Sequence, residues 1–263
     1  MKNTGKKMSE LAVVMPVYNE EACIQKVVDH WLSKLSETGI DYKMIILNDG
    51  SKDGTEEKLL MFKDNERIDI INKPNSGHGP TLQMGYGRAV NLAEWVFQCD
   101  SDDEMEAGHF DRLWNERYKY DALFGIRLDR AQNPHRKIVS NIARGITYFL
   151  YGRRVVDPNI PYRLIKGALL KKIISKLPSG IIAPNLIISG VISKSDASVY
   201  QCPIPHKFRM TGKVSLASFK LWRLSAKSFI QTLLYRPSVK RADFAGIEGQ
   251  DNSKDEIGVS HEM

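Results

Sequence analysis

Cysteines and long apolar runs are scarce in this sequence, and their scarcity limits the kind of protein it encodes. The three cysteines, Cys23, Cys99 and Cys202, are far apart, odd in number and without metal-ligand spacing. We therefore expect a reducing compartment and no disulfide framework. No stretch approaches the ~20 apolar residues of a membrane-spanning helix, because polar residues, a proline and a glycine interrupt the longest candidate, 181–192. The opening MKNTGKKMSE is polar and basic with no apolar stretch behind it, so we expect no signal peptide.

Motifs for nucleic-acid recognition are lacking as well, although the chain is basic. The net charge is +7, with positive residues concentrated after position 125 and a mostly acidic final segment. Such an imbalance fits an anionic partner, which would be nucleic acid, a phosphorylated substrate or an anionic lipid. With neither a zinc finger nor an aromatic-rich RNA-binding strand, nucleic acid ranks last, and we expect no nucleic-acid partner.

Apolar runs and helical patterns alternate four times in the first hundred residues. Strands are predicted at 11–17, 43–47 and 68–71 and in the run that ends at 97, with helices at 20–36, 55–62 and 81–92 between them. This order indicates an α/β fold with a mostly parallel sheet flanked by helices.

Four carboxylates crowd into five positions directly after the fourth predicted strand: Asp100, Asp102, Asp103 and Glu104. Like charges this close raise one another's pKa unless a cation neutralises them, so a divalent metal site is one explanation. Oxygen ligands without a neighbouring His or Cys favour Mg²⁺ or Mn²⁺ over Zn²⁺. The other explanation is a solvated loop that caps a helix starting near Met105.

Polar loops follow each of the four predicted strands. The loops span 16–20, 48–53, 75–79 and 100–104, and the carboxyl ends of parallel strands lie on one edge of a sheet. Each loop alone is also consistent with a plain turn. Taken together they predict one cleft, with Asn48 and Gly77 among the candidates for binding a ligand there.

Three of these segments resemble family 2 glycosyltransferases, which are inverting nucleotide-sugar enzymes with the GT-A fold. They are VMPVYNEE at 14–21, NDGSKDGT at 48–55 and DSD at 100–102. Each motif alone is weak, but the ordered set within the first ~130 residues is specific. The resemblance implies a Rossmann-like sheet, a UDP- or GDP-sugar donor and a bound Mg²⁺ or Mn²⁺.

The resemblance also implies roles for residues of the strand-end loops. The residues implied to contact the nucleoside are Pro16, Tyr18, Glu20 and Asp49. Asp100 and Asp102 would meet the ribose and, through the metal, the diphosphate. In the polyprenyl-phosphate branch of the family the residue two after the second Asp joins the metal, and here that residue is Glu104 where Gln is commoner.

The second half of the chain resembles the acceptor side of dolichyl-phosphate mannose synthase and related bacterial polyprenyl-phosphate glycosyltransferases. The positions that match the phosphate-holding residues of that branch are Asp157, Arg163, Arg209 and Lys213. Arg127 ends a predicted fifth strand and is a further candidate for donor binding. Cations aimed at the diphosphate would stabilise the charge of the leaving nucleotide. The alternative for Arg209 and Lys213 is that they are ordinary exposed basic residues without a ligand.

One departure from the family pattern bears on the acceptor. Relatives that glycosylate a hydroxyl usually place a carboxylate base in the segment that here reads APNLI at 183–187, where Asn185 cannot accept a proton. A phosphate acceptor is already an anionic nucleophile and needs no strong base. We therefore favour a lipid phosphate, although Asp157 or Asp103 could serve as a base.

We expect a glycosyltransferase domain at 1–212, an amphipathic helical extension at 213–236 and a flexible, acid-rich tail at 237–263. The extension mixes basic residues with Trp and Phe, so it would either lie on a membrane surface or pack on the domain. We expect a cytoplasmic protein that is free or attached peripherally to the membrane, directly or through a membrane-protein partner.

The preferred function is inverting transfer of a sugar to a polyprenyl phosphate at the cytoplasmic membrane face. The alternatives are transfer to a hydroxyl of a lipopolysaccharide or capsule glycan, and a non-catalytic module that binds an anionic ligand. A nucleotidyltransferase also uses paired carboxylates on an α/β sheet, but the N-terminal region has no basic, glycine-rich signature for it.

Overall fold

The structure is a computed structural model that describes residues 8–127, 145, 148–150, 152, 154–206, 227, 230–232 and 234–235. Arg209, Lys213 and the predicted tail lie outside these residues, as does most of the predicted extension. The boundaries predicted between domain, extension and tail therefore stay predictions.

One sheet of seven strands forms the centre of the described chain. The strands are β1 Ser9–Val17, β2 Tyr42–Asn48, β3 Ile68–Asn72, β4 Ala93–Gln98, β5 Ala122–Arg127, β6 Arg163–Lys166 and β7 Val199–Ile204. Their order across the sheet is β3-β2-β1-β4-β6-β5-β7. β1 pairs in parallel with β2 and β4, and β2 pairs in parallel with β3. β6 is antiparallel to both β4 and β5, and β5 is parallel to β7. The predicted α/β class with a mostly parallel sheet is confirmed.

The parallel pairing brings the carboxyl ends of the first four strands to one edge. Val17 pairs with Asn48 of β2, and Val14 pairs with Gln98, the last residue of β4. The central strand β1 is buried along nearly its whole length, as expected for a strand covered by helices on both faces. The four loops predicted to meet are therefore neighbours along one edge.

Six helices have both ends within the described residues: α1 Ile24–Glu37, α2 Thr55–Leu60, α3 His78–Ala89, α4 Asp111–Trp114, α5 Gly167–Ile174 and α6 Pro184–Lys194. α1 begins later than predicted because Glu20–Cys23 form a turn, in which the backbone N–H of Cys23 donates to the carbonyl of Glu20. α3 begins earlier than predicted and contains Pro80 in its first turn, where a missing N–H costs no hydrogen bond. The alternative explanation of the carboxylate loop placed a helix near Met105, and that placement is wrong: a short 3-10 turn at Ala107–His109 and then α4 follow the loop.

An aromatic cluster packs α1 against the strand that leads to the carboxylates. The ring centroid of Phe97 lies 5.2 Å from that of Trp31, 5.1 Å from that of Phe110 and 4.9 Å from that of Tyr162. Such pairs are favourable beyond the area that they bury. The cluster therefore anchors the end of β4, from which the carboxylate loop departs.

A short C-terminal piece of helix packs beside the loop that precedes α6. The Gln231 amide accepts from the backbone N–H of Ile182 at 2.9 Å and donates to the carbonyl of Gly180 at 3.1 Å. Tyr235 is buried, and its hydroxyl donates to the carbonyl of Lys176. Within the described residues, no helix combines the length and apolar character that crossing a bilayer requires.

Candidate functional site

The loops after β1 and β2 are tied together by reciprocal hydrogen bonds. The backbone N–H of Asn19 donates to the Ser51 hydroxyl at 2.9 Å, and that of Lys52 donates to Asn19 Oδ1 at 2.8 Å. The N–H of Glu20 donates to the Thr55 hydroxyl at 2.8 Å. Asn19 adopts a φ of 55°, a conformation that asparagine tolerates better than most residues. These bonds give the edge of the sheet a fixed shape.

Asp49 joins the loops after β2 and β3. Its carboxylate forms an ion pair with Lys73 and accepts from the backbone N–H groups of Ser76 at 2.8 Å and Gly77 at 2.9 Å. Burial would raise the pKa of Asp49, but the hydrogen bonds from Lys73 and Ser76 outweigh it and hold the pKa below its ordinary value. Asp49 is therefore a carboxylate anion with an ammonium group beside it, at the position where the nucleoside is expected.

The other residues predicted for the nucleoside lie on the same edge. Asn48 is buried, donates to Asn72 Oδ1 at 3.0 Å and accepts from the N–H of Ser51 at 3.2 Å. Pro16 accepts a hydrogen bond at its carbonyl from the Ser101 hydroxyl at 3.0 Å, which links the β1 loop to the carboxylate loop. Tyr18 is half-buried directly beyond the end of β1.

The carboxylates at 100–104 form one compact loop after β4. Asp102 Oδ1 accepts from the N–H of Glu104 at 3.2 Å, and Asp103, with a φ of 58°, forms an ion pair with Lys26 at 2.7 Å. Burial raises the pKa of Asp100 well above its ordinary value, and the charges of Asp102 and Glu104 raise it further. A cation among these oxygens would relieve that repulsion.

His206 lies against this loop and was not among the residues predicted from the sequence. Its Nε2 is 2.9 Å from Glu104 Oε2, and both side chains are mostly buried. The two residues are 102 positions apart, so only the tertiary fold brings them together. Within the described residues, no three His, Cys, Asp or Glu side chains are already grouped as around a metal ion. Carboxylate oxygens are ligands that Mg²⁺ and Mn²⁺ prefer, whereas an imidazole is typical of transition-metal sites, so a ligand set that includes His206 would favour Mn²⁺ over Mg²⁺.

Arg127 and Asp157 form a paired unit beside the carboxylate loop. Arg127 donates through Nε to Asp157 Oδ2 at 2.7 Å and through Nη2 to Oδ1 at 2.9 Å. Both side chains are largely buried. The positive charge of Arg127 opposes the rise in the pKa of Asp100, so it acts on the carboxylate loop from a distance.

Arg163 is buried beneath the site, at the start of β6. Its guanidinium donates to the carbonyls of Pro158, Ile160 and Asn185 and to the Ser189 hydroxyl. These are five bonds, and a guanidinium has five N–H donors. In this conformation Arg163 holds the 158–160 loop against α6, and its predicted role toward a phosphate stays a prediction.

Asn185 is also buried, at 3% exposure, near the start of α6. Its side-chain amide donates to Gln98 Oε1 at 2.9 Å, and its Oδ1 lies 2.9 Å from the Tyr86 hydroxyl. The position at which relatives are expected to carry a base is thus occupied by an amide that is bonded within the protein.

Comparison with known proteins extends these observations. The family described as Glycosyl transferase family 2 matches residues 12–177, a span that runs from β1 past α5. Undecaprenyl-phosphate 4-deoxy-4-formamido-L-arabinose transferase of Proteus mirabilis (strain HI4320) is 26% identical over 159 residues, or 59% of this chain and 48% of that protein. Chondroitin synthase of Pasteurella multocida (strain Pm70) is 31% identical over 135 residues, or 50% of this chain and 13% of that protein. The chain therefore spans about half or less of the length of these curated relatives.

A solved structure shows the same fold. Glucosyl-3-phosphoglycerate synthase from Mycobacterium tuberculosis, in complex with Mn²⁺, UDP and glucosyl-3-phosphoglycerate, superposes with a TM-score of 0.62. The two chains are 20% identical, and the superposition covers 88% of this chain and 81% of that one. At this identity the likeness shows a shared fold.

Proposed function

Because the chain belongs to glycosyl transferase family 2, we propose that it moves a sugar, with inversion, from a nucleotide-diphosphate sugar to a polyprenyl phosphate at the cytoplasmic face of a membrane. The observation that carries this proposal is the single polar edge on which Asp49 with Lys73 and the carboxylate loop lie together. The first pair suits the nucleoside end of the donor, and the loop suits its diphosphate end.

The residues that would hold a metal are Asp100, Asp102, Glu104 and His206. The 2.9 Å contact between His206 and Glu104 supports adding the imidazole to the ligands expected from the sequence. When bound, Mn²⁺ or Mg²⁺ would neutralise the charge that develops on the departing diphosphate. The protein itself orients the donor and offers fixed dipoles and charges, which supply much of the catalysis in such reactions.

The pairing of the carboxylates around the site supports a phosphate as the acceptor. Asp157 is paired with Arg127, Asp103 with Lys26, and Asn185 carries an amide. A phosphate oxygen can attack the anomeric carbon without giving up a proton, while the bond from that carbon to the diphosphate breaks and the nucleoside diphosphate leaves. Attack from the opposite side would invert the configuration at that carbon.

The relatives support this acceptor class and also the main alternative. The Proteus mirabilis relative is named for undecaprenyl phosphate, and a Trichomonas vaginalis relative, 33% identical over 113 residues, is named a dolichyl-phosphate beta-glucosyltransferase. The chondroitin synthase relative instead supports transfer to a glycan hydroxyl as a second candidate.

Contact with a membrane surface is part of the proposal. In the C-terminal piece of helix, Ile230 and Leu234 are 53% and 72% exposed, although Tyr235 beside them is buried. Two exposed apolar residues four positions apart on a helix are suited to the lipid interface. Less pelleting of a Leu234→Ser variant with anionic phospholipid vesicles, relative to the unaltered chain, is the expected outcome; equal pelleting would remove this part of the proposal.

The transfer is tested with radiolabelled UDP- and GDP-sugars, Mn²⁺, and undecaprenyl or dolichyl phosphate in detergent. We expect label in the lipid fraction and none when Mn²⁺ is chelated. Asp102→Asn, which keeps the shape but removes the charge of a metal ligand, should abolish the product. Asp64→Asn is the matched control, because Asp64 is an exposed carboxylate in the turn after α2.

Other outcomes separate the alternatives. Metal-dependent release of nucleotide without lipid product would keep the glycosyltransferase and discard the lipid acceptor. Label entering an added glycan primer would favour the hydroxyl acceptor. No turnover with any donor, together with no rise in melting temperature on adding nucleotide and Mn²⁺, would favour the non-catalytic module.

A further inference from the structure

A cluster of three buried polar side chains lies behind the carboxylate loop. It consists of Tyr86 on α3, Gln98 at the end of β4 and Asn185 on α6, which are 1%, 0% and 3% exposed. Buried polar groups are costly unless they are hydrogen-bonded, so each orientation within such a cluster is strongly determined. The cluster joins three separate elements at the residue from which the loop departs.

The bonds within the cluster set the direction of the Gln98 amide. Its Oε1 accepts from Asn185 Nδ2 at 2.9 Å and lies 2.7 Å from the Tyr86 hydroxyl. Because the oxygen faces these two groups, the amide nitrogen faces the other way. There Gln98 Nε2 donates toward Asp100 Oδ1 at 3.4 Å.

The Asn185 side chain is itself held in place. Its Oδ1 lies 2.9 Å from the Tyr86 hydroxyl, and its backbone carbonyl accepts from Arg163 Nη1 at 3.3 Å. The Asn185 amide nitrogen therefore points at Gln98 and presents a donor to it. A carboxylate at 185 would present an oxygen to the Gln98 oxygen, and the Gln98 amide would have to turn its own oxygen toward Asp100.

From this geometry we propose that Asn185 is a positioning residue on the donor side, which acts through Gln98 to orient Asp100. This inference rests on the proposed function, because it assigns Asn185 to binding of the nucleotide with its metal. It gives the amide at position 185 a role of its own, in addition to its inability to act as an acceptor-side base. The amide at 185 is then a requirement of the site, since neither a carboxylate nor an apolar side chain can donate in its place.

The test measures binding of UDP and of GDP, each with Mn²⁺, by calorimetry, and measures melting temperature in parallel. Asn185→Leu and Asn185→Asp should each weaken binding of the nucleotide that the unaltered chain prefers by about tenfold, the size expected for one hydrogen bond to a charged group. Tyr86→Phe is the milder variant if either substitution prevents folding. Gln83→Leu is the matched control. Gln83 lies on α3, as Tyr86 does, and among the described contacts its amide bonds only Pro178 and Ile181.

A double-variant cycle tests whether Asn185 acts through Gln98. If it does, adding Asn185→Leu to Gln98→Met should weaken nucleotide binding no further than Gln98→Met alone. Steady-state kinetics should show a raised donor KM and an unchanged acceptor KM. The proposal would be overturned if the two losses of nucleotide affinity multiplied in the double variant, or if only the acceptor KM changed.

The binding measurements distinguish failure of the proposed function from failure of the role proposed for Asn185. If the unaltered chain binds neither nucleotide with Mn²⁺, the proposed function fails and this inference falls with it. If the unaltered chain binds nucleotide and the Asn185 variants bind it equally well while folded, only the role of Asn185 is refuted.

Discussion

The substitution Arg163→Lys tests whether Arg163 stabilises the fold through its hydrogen bonds or binds a phosphate, as predicted from the sequence. In the structure all five guanidinium N–H groups donate to protein oxygens, and the side chain is 1% exposed. Lysine keeps the positive charge but has three N–H donors and no planar fork. The variant therefore tests geometry at nearly constant charge.

The expected loss of stability follows from the bonds that lysine cannot make. At least two of the five hydrogen bonds are lost, and bonds to a charged group contribute about 1.5 kcal/mol or more each. The free energy of unfolding should fall by about 3 kcal/mol. For a chain of this size that corresponds to a melting temperature lower by roughly 6–12 °C.

The assay is thermal unfolding without ligand, with Arg112→Lys as the matched control. Arg112 is exposed and donates to the carbonyl of Pro203, so its replacement should change the melting temperature by no more than about 2 °C. If Arg163→Lys melts within that same margin while transfer activity is lost, the structural role is refuted and direct phosphate binding is supported.

Three further predictions concern Gly79, Asp49 and Gln231. A Cβ on Gly79 would lie 2.1 Å from the carbonyl oxygen of Ile181, so Gly79→Ala should lower the free energy of unfolding by more than about 2 kcal/mol. Gly87 lies on the same helix in open space, so Gly87→Ala should raise that free energy by about 0.5–1 kcal/mol in denaturant titrations. Similar values for the two variants would contradict the close approach at Gly79. Because the pKa of Asp49 is lowered on folding, its stabilisation is present above the unfolded pKa of about 4 and is lost as the pH falls through the folded value. The gap in melting temperature between the unaltered chain and Asp49→Asn should therefore shrink from pH 7 to pH 3, and a constant gap would count against the Asp49 ion pair. Gln231→Ala removes two bonds to the loop before α6, so limited proteolysis should cut the C-terminal segment faster, and an unchanged rate would show that these bonds do not hold it.

The family, the GT-A fold and the four strand-end loops could be predicted from local signals. The first four strands are continuous apolar runs, and each is closed by small polar residues that favour turns. Parallel pairing then places those turns on one edge regardless of the details of packing. The family match over 12–177 and the shared fold confirm this part of the prediction.

Other features carried no local signal. β6, Arg163–Lys166, has four residues and begins with an arginine, and it becomes a strand because β4 and β5 pair with its two edges. His206 is 102 positions from Glu104, and nothing near it in the sequence marks it as part of the site. Pairing and contact at such separations depend on the whole sheet.

The sequence by itself determined which chemistry lies at the edge of the sheet, because runs of apolar residues and turn residues specify strands and their ends over a few positions. Only the tertiary structure decided what each polar side chain does there. In the sequence Arg163 matches a phosphate-binding position and Asn185 marks the place of a missing base, yet the fold surrounds both with acceptors and donors from distant segments. A buried polar group must be paired wherever the chain places it, so its partners, and with them its role, are fixed by packing.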